Sequence, residues 1–201
     1  AVEANWVEHL ADYHPEEDYR SSYAARRELG GGVLLTQVHL LDLLTLLFGP
    51  VRSVVAHGGH RSDLEVDVED SVSFLARAAD ETPILAHLDY CQRPRRSFLG
   101  VTGTLGRAEL DLQAQTLTVV PSAPGSTPVV HNRPVERNEL FLAAAADFLR
   151  AARSARPPRC DLDQATSVLD LVDAIRASMA TGQVADLVAR PLHDVPHPGA
   201  S

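Results

Sequence analysis

The sequence predicts an α+β fold in which an open, mostly antiparallel or mixed β-sheet carries helices packed on one face. Between residues 51 and 120, apolar and polar side chains alternate with a period of two, which is typical of β-strands. On both sides of this stretch, apolar side chains recur at helical spacing. Because the links between successive strands are short, the strands should pair with their neighbours in sequence and not form βαβ units.

The elements are expected in a simple order. An alternating strand comes first, over residues 1–9, and is followed by a polar loop and a short helix over residues 19–28. A long helix over residues 33–48 then ends at Gly49 and Pro50. The later strands are expected at residues 51–56, 71–79, 84–90, 98–104, 108–113 and 117–120, with a hairpin link at residues 79–83.

The last third of the chain predicts a loop and two helices. Residues 122–133 are rich in Pro, Ser and Gly and indicate an exposed loop. Asn138 can cap the first helix, and Asp161 with Gln164 forms a capping box for the second. The apolar stripe of the first helix comprises Leu140, Phe141, Ala144, Ala145, Phe148, Leu149 and Ala152. The buried stripe of the second is expected to comprise Ala165, Val168, Leu169, Val172, Ile175 and Met179.

Length and composition exclude several classes of function. The 201 residues suit one domain over residues 1–190, with a flexible tail over residues 191–201. The net charge of −9 argues against a nucleic-acid or anionic-membrane partner, since both require a basic surface. The most apolar window, residues 33–48, is too short and too often interrupted by polar side chains to cross a membrane. All 18 basic residues are arginines, so this chain offers no lysine for catalysis.

Cysteine and histidine usage predicts no metal site. Cys91 and Cys160 lack the spacing of metal ligands, and they fit a reducing, cytoplasmic setting. His57 and His60 stand at the end of a strand without a nearby cluster of carboxylate or cysteine ligands. They are therefore expected to be ordinary polar residues.

Polar residues gather on the helix predicted over residues 33–48. Three glycines, residues 30–32, open this helix, and consecutive glycines usually mark a close approach of chain or ligand. Thr36, His39 and Asp42 are spaced by three, so they form a polar stripe on one helix face. A carboxylate beside a histidine can orient the ring and raise its basicity. The stripe is either a satisfied polar pair in the core or a functional site, and the glycines favour the site.

Several segments together carry a resemblance to one enzyme family. The glycine-opened helix reads GGGVLLTQVHLLDLLTLLFG, and the loop before it reads YHPEEDYRSSYAARRELGGG. The hairpin after it reads VEDSVSFLARAADETPILAHLDYCQ, the next strand pair reads FLGVTGTLGRAELDL, and the closing helices begin with ELFLAAAADFLRAAR. In this order they resemble the C-terminal domain of the glucose–fructose oxidoreductase/inositol dehydrogenase family (Gfo/Idh/MocA). The resemblance covers nearly the whole chain and implies a dehydrogenase C-terminal domain.

The resemblance implies a substrate site around the helix motif. The family histidine that matches His39 contacts the substrate hydroxyl being oxidised or assists its proton transfer. Thr36 stands where the family has an acidic residue, and its hydroxyl can bind a substrate hydroxyl but cannot act as a base. Asp42 matches a position that braces the helix and His39. The other substrate-binding positions are Gln37, His14, Tyr19 and Arg20, and the supporting positions are Gly31 and Gly32.

The family's other domain is an N-terminal Rossmann fold with a glycine fingerprint and a catalytic lysine in a Glu-Lys-Pro motif, and this sequence contains neither feature. NAD or NADP is therefore expected to bind through that missing domain, and the chain alone is expected to be inactive. The intact enzyme would act on a sugar, nucleotide sugar or cyclitol hydroxyl, with Arg20 available for a substrate carboxylate or phosphate. It would assemble as a homodimer or homotetramer through the sheet face. The alternative is a non-catalytic sugar-binding or oligomerisation module.

Overall fold

A computed structural model describes residues 1–154, 156–158 and 160–187 of the chain. The strands in these ranges are β1 (Val2–Val7), β2 (Val51–Gly59), β3 (Ser71–Ala78), β4 (Pro83–Asp89), β5 (Arg96–Gly103), β6 (Gly106–Asp111), β7 (Thr116–Pro121), β8 (Val129–Asn132) and β9 (Ala185–Asp186). The helices are α1 (Val33–Thr36), α2 (Val38–Phe48), α3 (Arg137–Ser154) and α4 (Leu162–Thr181).

The strands form one open sheet in the order β8-β7-β6-β5-β1-β4-β3-β2-β9. The first strand lies in the middle of this sheet, parallel to β4 and antiparallel to β5. The other neighbouring strands are antiparallel, and β3 and β4 form the hairpin predicted around residues 79–83. The predicted α+β class with a mixed, mainly antiparallel sheet is therefore confirmed.

The core lies between one face of the sheet and the helices α1, α2 and α4. Alternate residues of β3 and β4 point into it, so that Phe74 and Leu88 are buried while Leu75 and Leu85 on the opposite face are about half exposed. Burying a large apolar side chain stabilises the fold by roughly 1.5–3 kcal/mol. One face of this half of the sheet is thus covered by helices, and the other is open.

Two helices predicted before β2 have a different form in the structure. Residues 19–28 do not form a short α-helix but a series of 3₁₀ turns, because polar groups of this segment bond to the loop after β2. The Arg27 amide and guanidinium, for example, both donate to Asp67. The helix predicted over residues 33–48 is interrupted at Gln37, where φ is −101° and ψ is 24°, which separates α1 from α2.

The second half of the chain also departs from the prediction. The predicted loop over residues 122–133 contains β8, which extends the sheet by pairing with β7. No side chain of α3 is buried, so its apolar stripe remains exposed in the described structure. In α4 the Asp161 carboxylate caps the helix by accepting a hydrogen bond from the Gln164 backbone amide, but the Gln164 side chain donates to Asp42, so only half of the predicted capping box forms. The buried face of α4 includes Leu171 and Ser178, whereas Leu169 is half exposed.

The predicted tail, residues 191–201, lies outside the described residues. Among the described residues, no single helix combines the length and apolar character needed to cross a membrane. One bent helix pair, Arg27–Thr36 with Val38–Phe48, meets that test of length and composition when the two parts are counted together. Cys91 and Cys160 are free thiols, and the cytoplasmic location stays a prediction.

Ser178 attaches the end of α4 to the sheet, and its removal gives a test of this packing. Its hydroxyl accepts a hydrogen bond from the Ala56 amide at 3.0 Å and donates one to the Gln183 carbonyl at 2.5 Å. We expect Ser178→Ala to lower the free energy of unfolding by about 1–3 kcal/mol, because the buried Ala56 amide loses its partner. The measurement is urea unfolding followed by circular dichroism.

The matched control is Thr166→Ala on the same helix. The Thr166 hydroxyl bonds only the Leu162 carbonyl of its own helix. Its loss should change the free energy of unfolding by no more than about 0.5 kcal/mol. Equal effects of the two substitutions would contradict the proposed attachment.

Candidate functional site

The glycine triplet lets the chain pass close to itself at the start of α1. A Cβ atom on Gly31 would collide with the main-chain carbonyl oxygens of Tyr23, Ala24 and Arg26. Gly32 has a φ of +110°, and a Cβ atom there would collide with the carboxylate of Glu69. The space beside these two glycines, which the sequence assigned to a ligand, is therefore filled by the protein.

The Gln37 side chain connects the break between α1 and α2 to the end of β4 by a hydrogen bond. Its side chain is 2% exposed, and Nε2 donates to the Asp89 carbonyl at 3.0 Å and to the Tyr13 hydroxyl at 2.8 Å. Since a carbonyl oxygen can only accept, the amide nitrogen must face Asp89, and the Tyr13 oxygen then also accepts. Gln37 Oε1 is buried without a hydrogen-bond partner among the described residues, and the predicted contact between Gln37 and substrate stays a prediction.

Tyr13 is a site residue that the sequence analysis missed. Its ring stacks edge-on against Tyr90, with centroids 6.0 Å apart. Its oxygen accepts from Gln37, so its own proton is free to point toward another acceptor. Burial raises the pKa of Tyr13, so this hydroxyl is a donor and not an anion over the neutral range. Its position before a polar loop gave no periodic signal from which to predict it.

Thr36 lies one turn into the helix but points its hydroxyl inward. Its Oγ1 is buried and has no hydrogen-bond partner among the described residues. It lies beside the hydroxyl of Tyr90, which is fully buried and whose pKa is raised by that burial and lowered to a smaller extent by Thr36. The predicted contact between Thr36 and substrate stays a prediction.

His39 lies on the exposed side of α2. Its ring faces the indole of Trp6 on β1, with centroids 6.4 Å apart and planes inclined by 42°. Within the described ranges His39 makes no hydrogen bond, so both ring nitrogens are available to a ligand. Trp6 is a second residue that the sequence analysis did not place at the site, because it lay within an alternating strand.

Within the described residues, Asp42 forms no hydrogen bond or ion pair with His39, although the sequence placed the two on one helix face. Its carboxylate accepts a hydrogen bond from Gln164 Nε2 at 3.1 Å, so it joins α2 to α4. His39 and Asp42 both lie in α2, but α4 packs beside this helix and presents the Gln164 amide to the Asp42 carboxylate. The predicted bracing of His39 by Asp42 stays a prediction.

The loop residues predicted to bind substrate are divided between a small cavity and the surface. His14 and Tyr19 line a cavity of about 180 Å³ together with Tyr13, Glu17 and Tyr23. A backbone hydrogen bond from Glu65 to the Tyr19 hydroxyl, at 3.3 Å, fixes one wall of this cavity.

Arg20, in contrast, is engaged by acidic side chains. It pairs with Asp18 at 2.8 Å and with Glu65 at 3.2 Å. A substrate carboxylate or phosphate would have to compete with both carboxylates, so its predicted role as an anion ligand stays a prediction.

The glycine triplet lacks the strand–turn–helix context that binds the pyrophosphate of a dinucleotide. The glycines at residues 30–32 follow the 3₁₀ turn Arg27–Leu29 and not a strand, and they open a helix of only four residues. The described ranges also contain no cluster of three or more potential metal ligands. His60 pairs instead with the buried carboxylate of Asp70 at 2.8 Å.

Tyr90, which is buried, and Tyr13, which is partly buried, make the stability of the chain sensitive to alkaline pH. Burial raises the pKa of Tyr13 and Tyr90, so the unfolded chain loses these protons near pH 10 while the folded chain keeps them. The free energy of unfolding should therefore fall above about pH 10, by at most about 1.4 kcal/mol per pH unit for each tyrosine. Urea unfolding between about pH 9 and pH 11 measures the slope, which Tyr13→Phe should reduce. An unchanged slope in that variant would contradict the effect.

Comparison with known proteins identifies the architecture. A levoglucosan dehydrogenase in complex with NADH and levoglucosan matches with a TM-score of 0.81 and 17% identity, over 92% of this chain and 58% of that one. An NAD-binding oxidoreductase from Klebsiella pneumoniae matches with a TM-score of 0.80 and 15% identity, over 94% and 59% of the two chains. An aldose-aldose oxidoreductase from Caulobacter crescentus matches with a TM-score of 0.78 and 20% identity, over 92% of this chain and 55% of that one.

These similarities establish the fold, and the chain spans less than three-fifths of the length of each of these structures. No curated protein sequence matches the chain. A family model described as the GFO/IDH/MocA C-terminal domain matches residues 4–109, more than half of the chain and including the glycine triplet, His39 and the β3–β4 hairpin. The chain therefore belongs to the GFO/IDH/MocA family and contains its C-terminal domain.

Proposed function

We propose that this chain is the substrate-binding domain of an oxidoreductase that acts on a hydroxyl group of a sugar, nucleotide sugar or cyclitol. NAD or NADP would be held by a domain outside this chain and would supply the hydride chemistry. The observation that carries the proposal is the exposed His39, with two unoccupied ring nitrogens beside the face of Trp6. An aromatic face beside polar groups suits a sugar ring, which presents C–H groups on its faces and hydroxyls at its edges.

Three side chains have separate roles at the proposed site. His39 accepts or returns the proton of the reacting hydroxyl, since imidazole is the side chain suited to proton exchange near neutral pH. Trp6 positions the sugar ring against His39. Tyr13 donates a hydrogen bond to a substrate oxygen, because Gln37 already occupies an acceptor position on its hydroxyl.

The names of two structural relatives support the substrate class. One is the levoglucosan dehydrogenase in complex with NADH and levoglucosan, and another is a UDP-N-acetylglucosamine 3-dehydrogenase from Acidithiobacillus ferrooxidans. Both names describe enzymes that act on sugars or nucleotide sugars. The alternative, a sugar-binding or oligomerisation module without catalysis, is favoured by one observation, the inward-facing hydroxyl of Thr36 at the acidic position of the family.

We also propose that two or four copies of the chain assemble through the open sheet face. Leu75 and Leu85 are paired neighbours on β3 and β4, and they are 49% and 54% exposed. Half-exposed leucines at the centre of a sheet face, beyond the reach of the helices, are typical of an interface.

The role of His39 can be tested in the intact protein that contains this chain. A panel of sugars, nucleotide sugars and cyclitols is screened with NAD and NADP, and turnover is followed by nicotinamide absorbance. For the substrate found, we expect His39→Asn to lower kcat/KM by roughly 10²–10⁴-fold, as the loss of a general base does. His131→Asn, on the exposed strand β8, is the matched control and should retain full activity.

The outcomes separate the two proposed functions. A substrate whose turnover is the same with His39→Asn would rule out the proton-transfer role. Binding of a sugar without turnover of any substrate would favour the module that lacks catalysis.

The interface is tested by placing a charge at its centre. Leu85→Arg should raise the dissociation constant for self-association at least about 100-fold, because an arginine buried between two copies would have no partner. Light scattering at several concentrations measures the mass. Leu105→Arg is the control, since Leu105 is 87% exposed in the turn between β5 and β6. A wild-type chain that is monomeric at high concentration would contradict the interface.

A further inference from the structure

A second, larger cavity lies on the other side of the glycine triplet from Tyr13. Its volume is about 400 Å³, which is sufficient for a small metabolite. The end of β2, the start of α1 and the C-terminal half of α4 surround it. Four glycines lie along its wall, and the apolar part of the wall is formed by Leu35, Val68 and Met179. The polar part is formed by Arg27, Glu69 and Arg176.

Arg27 is a cation without a carboxylate partner for its guanidinium group. Its Nε and Nη2 both donate to the main-chain carbonyl of Asp67, at 3.2 and 2.8 Å. The Asp67 carboxylate accepts from the Arg27 backbone amide instead. Arg20 and Arg93, by comparison, pair directly with acidic side chains. The carbonyl therefore fixes the plane of the Arg27 guanidinium and leaves Nη1 without a partner among the described residues.

Arg176 is held in place from the opposite wall. Its Nη2 donates to Glu69 Oε1 at 2.8 Å, and the Glu69 carboxylate rests against Gly32, where no Cβ atom would fit. Glu69 is only 12% exposed, whereas Arg176 is 36% exposed. The ion pair thus orients Arg176, and its Nε and Nη1 make no hydrogen bond within the described ranges.

The charges of the cavity do not balance. Two guanidinium groups face one carboxylate, which leaves a formal excess of one positive charge in a chain whose net charge is −9. Two preoriented guanidinium groups with unused donors are well suited to an oxyanion, because the bonds would be charge-assisted and little side-chain entropy would be lost. The apolar wall would contact the organic part of the same molecule.

We propose that this cavity is a binding site for a small molecule that carries a phosphate or carboxylate group. Arg27 and Arg176 bind the oxyanion, and Leu35, Val68 and Met179 contact the organic body. Glu69 positions Arg176 and reduces the affinity for the anion by its own charge. The site requires no catalysis, so its occupancy does not depend on whether the intact protein is an oxidoreductase.

Met179 provides a local reporter for this site. It is the single methionine of the chain, and it lines the cavity. With the methionine methyl group labelled with carbon-13, its NMR signal is followed while glucose 6-phosphate, gluconate, inorganic phosphate or glucose is added to the full chain. If the preferred anion is a phosphate, we expect glucose 6-phosphate to cause a saturable shift of the Met179 signal. If it is a carboxylate, we expect gluconate to cause this shift. Glucose, which carries no anionic group, should cause no shift.

Four variants distinguish this site from unspecific attraction. Arg27→Gln and Arg176→Gln should each raise the dissociation constant of the bound anion at least about 10-fold. Glu69→Gln should lower it several-fold, because a repelling charge is removed. Arg52→Gln is the control, since Arg52 pairs with Glu81 on the surface and should leave the affinity unchanged.

Each result bears on the proposal. If Arg176→Gln does not fold, Arg27→Gln decides, because that side chain gives up only hydrogen bonds to a carbonyl. The proposal is overturned if neither glucose 6-phosphate nor gluconate shifts the Met179 signal, or if glucose shifts it equally. It is also overturned if Arg27→Gln binds the anion as tightly as the wild type. Tighter binding by Glu69→Gln would support the charge assignment, and weaker binding would contradict it.

Discussion

The buried amide of Gln37 is the constraint on which the site depends. It sits where the helix after the glycines is interrupted, and its two hydrogen bonds connect three parts of the chain: the helix break, the end of β4 at Asp89 and the loop at Tyr13. An apolar side chain at this position would leave the Asp89 carbonyl without this partner in a buried environment. The directions of α1 and α2, and with them the outward position of His39, follow from this connection.

The same strand end connects the helical face of the sheet to the open face. While the Asp89 carbonyl accepts from Gln37, its carboxylate accepts the Cys91 and Gln92 amides and pairs with His87 at 2.9 Å. Burial alone would raise the pKa of Asp89, but the hydrogen bonds from His87 and the two amides hold it below its usual value. Asp89 therefore remains a carboxylate. The end of β4 at Asp89 thus supports both the residues proposed for substrate binding and those proposed for self-association.

Much of the fold followed from periodicity, and the departures have local causes. The alternation in β3 and β4 predicted their hairpin and their buried faces, because a strand with one covered face leaves a period of two in the sequence. The spacing of Thr36, His39 and Asp42 assumed an unbroken helix, and the break at Gln37 depends on hydrogen bonds to residues far away in sequence. Tyr13 could not be predicted for the same reason, since its role comes from a contact across 24 residues.

The replacement of the family's acidic residue by Thr36 has a consequence for how protons are handled. The Thr36 hydroxyl is buried, and Tyr90 beside it is kept protonated by burial, so neither group can take up a proton near neutral pH. The proposed function therefore assigns the proton transfer to the imidazole of His39, the side chain type suited to acid–base catalysis. It assigns no proton transfer to Thr36 or Tyr90.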